Sequence, residues 1–515
     1  MKCLSIFVIF ACLGISLQRS TPQDAHYIAA VVEYIVNRNV TENLANYIEL
    51  IEEAAKQDAD IVVFPELTLT NHSVSFPVPI YGILKQYPIP ALRPDLYHEL
   101  LVGISEAARQ NEIYVVINTR ELLDCTQETG ELCPERKEYI FNTNVVLDRS
   151  GAVIDRYRKI NLFGEAAHTP ALSPDLGVFT TDFGVKFGHF ICFDLMFQVP
   201  AIQVVQKHNI KDVIFTTMWF SELPFLTAVQ YQQAYAYAMN VNFLGSGANN
   251  VAIGSAGSGI YSGKAGALIS IMPGVPTTRL LVAKVPKVPG QVLGTPPGPI
   301  YDNPTDHDGL RLITDPSLKS HISRLLVPGF QEFQLVDKDV SCTFRIRMTQ
   351  RNGYPMHRYR AFVYDGTTTY ARRETGSVLC IVVACKDDDV SSCSYKYNRQ
   401  DETVTFEELE IEMSSYRNEY NKTLQCDNIV YFPVSLRDSK FPLDPKNCTF
   451  TIQDDSQDNN NLANEELSDE TSIKTSKREK LLYKINMPQR EIVSFGIFGR
   501  IYTRDVDHTK HVTEY

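Results

Sequence analysis

From residue 27 to about residue 250 the chain alternates apolar β-type runs with helical ones, and after about residue 295 that rhythm stops. Strands and helices in alternation bury best as an α/β layer structure, so this pattern restricts the fold more than any other feature. Residues 27–36 are almost continuously apolar, as in a strand covered on both faces. In residues 43–57, Leu44, Tyr47, Ile48, Ile51 and Ala55 recur at three-and-four spacing, which predicts a helix with Thr41 as its cap. Strands are predicted at 60–64, 113–118, 139–147, 153–157, 187–192 and 213–217, with helices at 94–110, 199–208 and 226–239. Arg149-Ser150-Gly151 marks a hairpin turn between the strands 139–147 and 153–157.

The second texture begins beyond Pro296-Pro297-Gly298-Pro299 and consists of short β-type runs such as 343–348, 361–364 and 378–384. A length of 515 residues fits more than one domain. The expected division is an α/β domain over 24–300 and a β-rich, disulfide-containing domain over 301–515. Residues 454–480 are charged and amide-rich with few apolar side chains, and are expected to form a mobile insertion. Forty-nine basic against 61 acidic residues give a net charge of −12, which argues against a general nucleic-acid or anionic-lipid binder. A small-molecule ligand is the expected partner.

Met1-Lys2 followed by an apolar run to Leu17 has the form of a secretory leader, here placed at 1–20, and is too short to span a bilayer. No later segment is apolar enough to cross one. Sequons at Asn39, Asn71, Asn421 and Asn447 agree with export to the extracellular space. Of 11 cysteines, Cys3 and Cys12 fall in the leader. Cys125 and Cys133 flank a turn-rich segment and are expected to form a local pair, and Cys342, Cys380, Cys385, Cys393, Cys426 and Cys448 lie in the C-terminal part. Counting leaves Cys192 as the unpaired thiol, although a lone buried cysteine is commonly inert packing.

Three segments of the α/β half carry groups capable of acyl transfer: Phe64-Pro65-Glu66, Arg158-Lys159-Ile160-Asn161 and Cys192-Phe193-Asp194. Each has a dull reading alone, as a surface acid, a solvated base or a core thiol. Jointly they supply a nucleophile, a carboxylate to take its proton, and an ammonium to stabilise a tetrahedral oxyanion. His168, His189 and His208 lack zinc-type spacing, and no metal or other cofactor is expected.

Phe64-Pro65-Glu66, Tyr157-Arg158-Lys159-Ile160-Asn161-Leu162-Phe163 and Ile191-Cys192-Phe193-Asp194 resemble, in order, the three signature segments of the nitrilase superfamily. Trp219 in Thr217-Met218-Trp219-Phe220, the stretch 238–244 and Gly257-Ser258-Gly259-Ile260-Tyr261 resemble its vanin and biotinidase branch. The resemblance implies a four-layer α-β-β-α sandwich. It implies Glu66 as proton acceptor and donor, Lys159 as oxyanion partner, and Cys192 as a nucleophile that forms a thioester. Glu165 is the candidate second acid for positioning substrate, with Trp219 beside it, whereas Phe197-Gln198-Val199-Pro200 lacks the acid that many relatives carry after the nucleophile. The implied activity is hydrolysis of a linear amide, pantetheine first and biocytin as the alternative, by a monomer or homodimer. An inactive scaffold that only binds, and a structural glycoprotein, are the competing readings.

Overall fold

The computed structural model describes residues 19–507 except 71–73, 81, 127–132, 136, 172, 174, 302–305, 307–308, 352–357, 395–402, 438–439 and 455–477. Its α/β half is a four-layer sandwich. Thirteen described strands form one hydrogen-bonded set that folds into two facing layers. The layers meet only where Tyr34 and Ile35 pair in parallel with Ala248 and Asn249.

Alternation along the strands explains the layering. In strand His26–Ile35, Tyr27, Ala29 and Val31 enter the core between the two sheets, while Ala30, Val32 and Tyr34 face the helices Val40–Lys56 and Glu99–Asn111. Ile61 and Val63, then Tyr114 and Val116, repeat the inward set beside them. From the opposite sheet Phe187, Ile214 and Leu244 complete that inner core, and Phe190, Phe215 and Phe243 face helix Ala228–Met239. Strands covered on both faces need apolar side chains in both phases of the period, which accounts for the unbroken hydrophobic runs.

The C-terminal half is a sandwich of two six-stranded, largely antiparallel sheets. Its central strand Arg373–Cys385 also faces two ways. Val378, Cys380, Val382 and Ala384 fill the sandwich interior, while Leu379, Ile381, Val383 and Cys385 pack toward helix Ala228–Met239. That helix therefore lies between the α/β sheet and the C-terminal sandwich. Nine of its twelve residues are buried, so it needs no polar face. The disulfide Cys342–Cys380 ties the two C-terminal sheets together, Cys385–Cys393 closes the strand end, and Cys125–Cys133 closes a loop of the α/β half.

Several expectations are corrected. Helix Val40–Lys56 starts earlier than predicted, and its cap is Asn39, not Thr41: Asn39 Oδ1 accepts from Glu42 N at 3.2 Å. The helix expected from residue 94 begins at Glu99, because His98 caps it with extended backbone. The one expected from 199 is a wide turn, Gln198–Ile202, that leads into helix Gln203–His208, with Val199 extended before a cis proline. Cys426 and Cys448 are thiols, so Cys192 is one of three free cysteines, not the only one. Counting could not reveal this, since the two lie in different packing clusters, Cys426 against the α/β half and Cys448 at the edge of the sandwich core. Residues 455–477 of the expected insertion lie outside the described residues, but 478–480 open the strand Arg478–Ile485. The apolar leader and Asn71 also lie outside them. Among the described residues, no helix is long and apolar enough to cross a membrane.

Candidate active site

Glu66, Lys159 and Cys192 converge at one end of the two sheets. Glu66 follows strand Ile61–Val63, and the next residue, Leu67, takes a left-handed φ of 52° that turns the chain. Cys192 follows strand Lys186–Ile191 with a φ of 48° and opens the tight turn Cys192–Met196. A side-chain-bearing residue in that region costs about 1–3 kcal/mol and persists where its surroundings over-determine it. Here the fixing group is Asp194. Its carboxylate accepts from Ile191 N (3.2 Å), Tyr157 OH (2.7 Å), Asn161 N (2.8 Å) and Asn161 Nδ2 (2.8 Å). Burial pushes Asp194 up to about 6, and four donors favour the anion above that pH. One carboxylate thus joins the cysteine turn to the loop that leaves Lys159.

Lys159 Nζ donates to Glu66 Oε1 at 2.7 Å and also to Glu165 Oε1. It is 1 % exposed; burial opposes its charge, but Glu66, Cys192 and Glu165 outweigh burial and hold it well above the ordinary lysine range. Glu165 is pulled well below the usual carboxylate range: burial works the other way, and Lys159, His168 and Asn142 prevail. Asn142 Nδ2 bridges both acids, donating to Glu66 Oε1 (2.8 Å) and Glu165 Oε2 (2.9 Å). Asn118 in turn donates to Asn142 Oδ1 (2.8 Å) and accepts from Leu67 N (2.9 Å), which locks the Glu66 turn.

The Cys192 thiol is buried and donates to Met218 O at 3.6 Å, while Met218 N donates to Glu66 Oε2 at 2.8 Å. Burial and Glu66 push this thiol well above its ordinary value, with Lys159 pulling down, so the resting group is S–H. Such a thiol attacks a carbonyl only as a base removes its proton, and the Glu66 carboxylate is the group placed for that task.

Cys192 opens onto a pocket lined by Phe163, Phe193, Met196, Trp219, Phe220 and Leu226. Trp219 is pinned by Nε1 donating to Leu226 O at 2.8 Å and stacks on Tyr231. Glu222, Ile313 and Tyr370 complete the wall, the last two contributed from beyond the α/β sheets. The C-terminal sandwich also grips the cysteine turn from behind. Arg500, fully buried, donates to Met196 O from Nε (3.1 Å) and Nη2 (3.0 Å). Arg373 donates to Asn161 Oδ1, whose amide is held by Asp194.

A carbon-nitrogen hydrolase family model matches residues 28–266, and a vanin C-terminal domain model matches residues 310–505. Vanin-like protein 3 of Drosophila melanogaster is 34% identical over 506 residues, which cover 93% of this chain and 90% of that protein. The chain belongs to the vanin and biotinidase branch of the nitrilase superfamily. Human biotinidase is 33% identical over 52% of this chain and 53% of its own, and a human pantetheine hydrolase 29% identical over 74% and 77%.

Within this vanin-type chain, Glu66, Lys159, Cys192, Glu165 and Trp219 all reach one site. Asn39 is an exposed helix cap, Asn421 is half-buried with Nδ2 donating to Asn428 Oδ1, and Asn447 ends a short helical turn. The sequence reading missed Asn118, Asn142, Glu222, Tyr370 and Arg500, and it named Asp194 only as part of the cysteine segment, without its bracing role. A signal existed for the first two, since Ile117-Asn118-Thr119 and Phe141-Asn142-Thr143-Asn144 put amides inside apolar strands. Amides buried there must have partners.

Proposed function

We propose that this protein is an exported amidohydrolase that cleaves a linear carbon–nitrogen amide through a thioester on Cys192. The observation that carries the reading is the Glu66–Lys159 pair at 2.7 Å beside a buried, unpaired thiol that faces an apolar pocket. In this scheme Cys192 Sγ bonds to the carbonyl carbon while its proton passes to Glu66. The oxyanion is met by the Lys159 ammonium, whose charge Glu165 helps to retain. Collapse breaks the carbon–nitrogen bond, and Glu66 returns the proton to the departing amine. Water then attacks the thioester with Glu66 again as base, releasing the acid and restoring the thiol. Trp219 walls the acyl or amine arm, and no step calls for a metal or organic cofactor. The catalytic unit is assigned to residues 24–300 and the C-terminal unit to 301–515.

Pantetheine is the first candidate substrate, supported by a pantetheine hydrolase that is similar to 74% of the chain. Biocytin is the alternative, supported by similarity to biotinidases over 52% to 77% of the chain. Export rests on the apolar leader, the sequons and the three disulfides. The test is amine release from pantetheine and from biocytin by the wild-type protein and by Cys192→Ser. Turnover that disappears in Cys192→Ser supports the scheme. Unimpaired turnover in that variant refutes it, and ligand binding without turnover on either compound selects the inactive-scaffold reading.

A further inference from the structure

Glu222 is the one carboxyl in the wall of the Cys192 pocket, which is otherwise aromatic and aliphatic apart from the thiol and the Tyr370 hydroxyl. Strand Glu222–Leu223 pairs with Ile313–Thr314, and this seats the carboxyl where the chain beyond the α/β sheets closes the pocket. No described residue hydrogen-bonds or ion-pairs with it; its surroundings are burial and a second acid, Asp315. Asp315 is 3 % exposed, and its backbone N donates to Leu223 O at 2.9 Å. Its Oδ1 accepts from Ser317 N (2.8 Å) and Ser317 Oγ (2.7 Å), but its Oδ2 is buried without a partner. Arg500 is already engaged by Asp505, Met196 O and Gly376 O.

Two neighbouring acids with no counter-charge among the described residues are costly in a largely enclosed wall; burial first, and Asp315 second, raise Glu222 to about 7. Such a cost is relieved by a cation that enters with the ligand. The apolar lining suits a chain of methylenes, and the polar end of that chain would meet Glu222.

We propose that Glu222, backed by Asp315, is a specificity determinant that selects linear amides with an apolar arm ending in a primary ammonium. This rests on the amidohydrolase reading and narrows its substrate class. Of the two candidates, biocytin carries an ammonium on its lysine arm, beside a carboxylate, and pantetheine carries none, so this assignment ranks a biocytin-like amide ahead of pantetheine.

The test compares N-pentylhexanamide with N-(5-aminopentyl)hexanamide and 6-amino-N-pentylhexanamide, so that the ammonium is offered on either side of the scissile bond. At about pH 8 the wild-type kcat/KM should favour one aminated amide by about tenfold or more, and Glu222→Gln should bring that ratio to within about twofold of unity. Equal rates for all three amides in the wild type, or an undiminished preference in Glu222→Gln, overturn the assignment. A measurement on the wild type alone covers the case in which the variant does not fold: pentylammonium should slow alkylation of Cys192 more than 1-pentanol does, and equal protection overturns the proposal. If no amide is hydrolysed, the amidohydrolase reading itself fails. If the neutral amide is hydrolysed in a Cys192-dependent way and the ammonium brings no advantage, only the Glu222 assignment fails.

Discussion

Replacing Arg500 tests whether the C-terminal sandwich is part of the site or merely appended to it. The guanidinium is fully buried and reaches three acceptors: Met196 O, Gly376 O and the Asp505 carboxylate at 2.8 and 3.0 Å. Arg500→Met keeps an apolar stem in place but removes the guanidinium from two carbonyls and from the largely buried Asp505 carboxylate, which keeps, among the described residues, only the Gly376 N donor. Removing one partner of a buried pair costs about 3–5 kcal/mol. Each orphaned carbonyl at roughly 1 kcal/mol or more makes up part of that sum. The readout is favourable, because the chain has a single tryptophan, Trp219, in the wall of the Cys192 pocket and in the core cluster shared by both halves. Urea unfolding followed by Trp219 emission should show the full loss. The catalytic effect should exceed the effect on binding. Met196 ends the turn that begins at Cys192, and a shift of about 1 Å in a reacting group can cost on the order of 10²-fold in rate. We expect kcat to fall by about 10–100-fold with KM little changed, and Arg500→Lys to recover part of it. A destabilisation below about 1 kcal/mol with unchanged kcat would show that the contact neither holds the halves together nor sets the turn.

Glu66→Gln keeps the shape of the Lys159 partner but not its basicity; kcat should drop by about 10²–10⁴-fold in an amide-hydrolysis assay, and near-wild-type turnover would remove Glu66 from the proton path. Asp194→Asn can still accept from both Asn161 donors but leaves Ile191 N facing an amide, so unfolding should show a loss of about 1–3 kcal/mol. Because burial and Glu66 hold Cys192 as a thiol, its alkylation rate should climb with pH through the alkaline range; a plateau at neutral pH would indicate a preformed thiolate instead. Glu222, raised from 4.5 to about 7, ionises at greater cost in the folded chain than in the unfolded one. Its contribution to stability is therefore greatest below pH 4.5 and is lost as pH rises through about 7, a slope that Glu222→Gln should flatten in pH-dependent urea titrations.

The residues legible in the sequence share one property: each announces itself locally. Glu66 and Cys192 end apolar runs, and Lys159 leaves a hairpin, so strand periodicity alone puts them at sheet ends where α/β sites form. The layer architecture was legible for the same reason, since doubly covered strands show as unbroken apolar runs. What stayed hidden depends on distance along the chain. Arg500 meets Met196 across 304 residues, and Gln230 meets Ser494 across 264. Neither pairing leaves a mark in spacing or composition. The Cys125–Cys133 pair is local and was legible, but the pairing of the C-terminal cysteines was not, because it needs two sulfurs in one place, and Cys426 and Cys448 belong to different clusters.

Helix Ala228–Met239 shows what such distant contacts do. Its sequence mixes alanine, glutamine and tyrosine with little amphipathic bias, a poor pattern for a surface helix. The pattern becomes intelligible once both faces are covered: Tyr231 packs on Phe432 and Phe498 of the C-terminal sheet, and also on Trp219. The same ring that cements the two halves thus backs the tryptophan of the pocket. With Tyr370 in the pocket wall, Arg500 on the cysteine turn and Arg373 on Asn161, the C-terminal sandwich touches the site at several places. An isolated α/β half would expose these apolar faces and lose these supports, so the two halves should act as a single catalytic body.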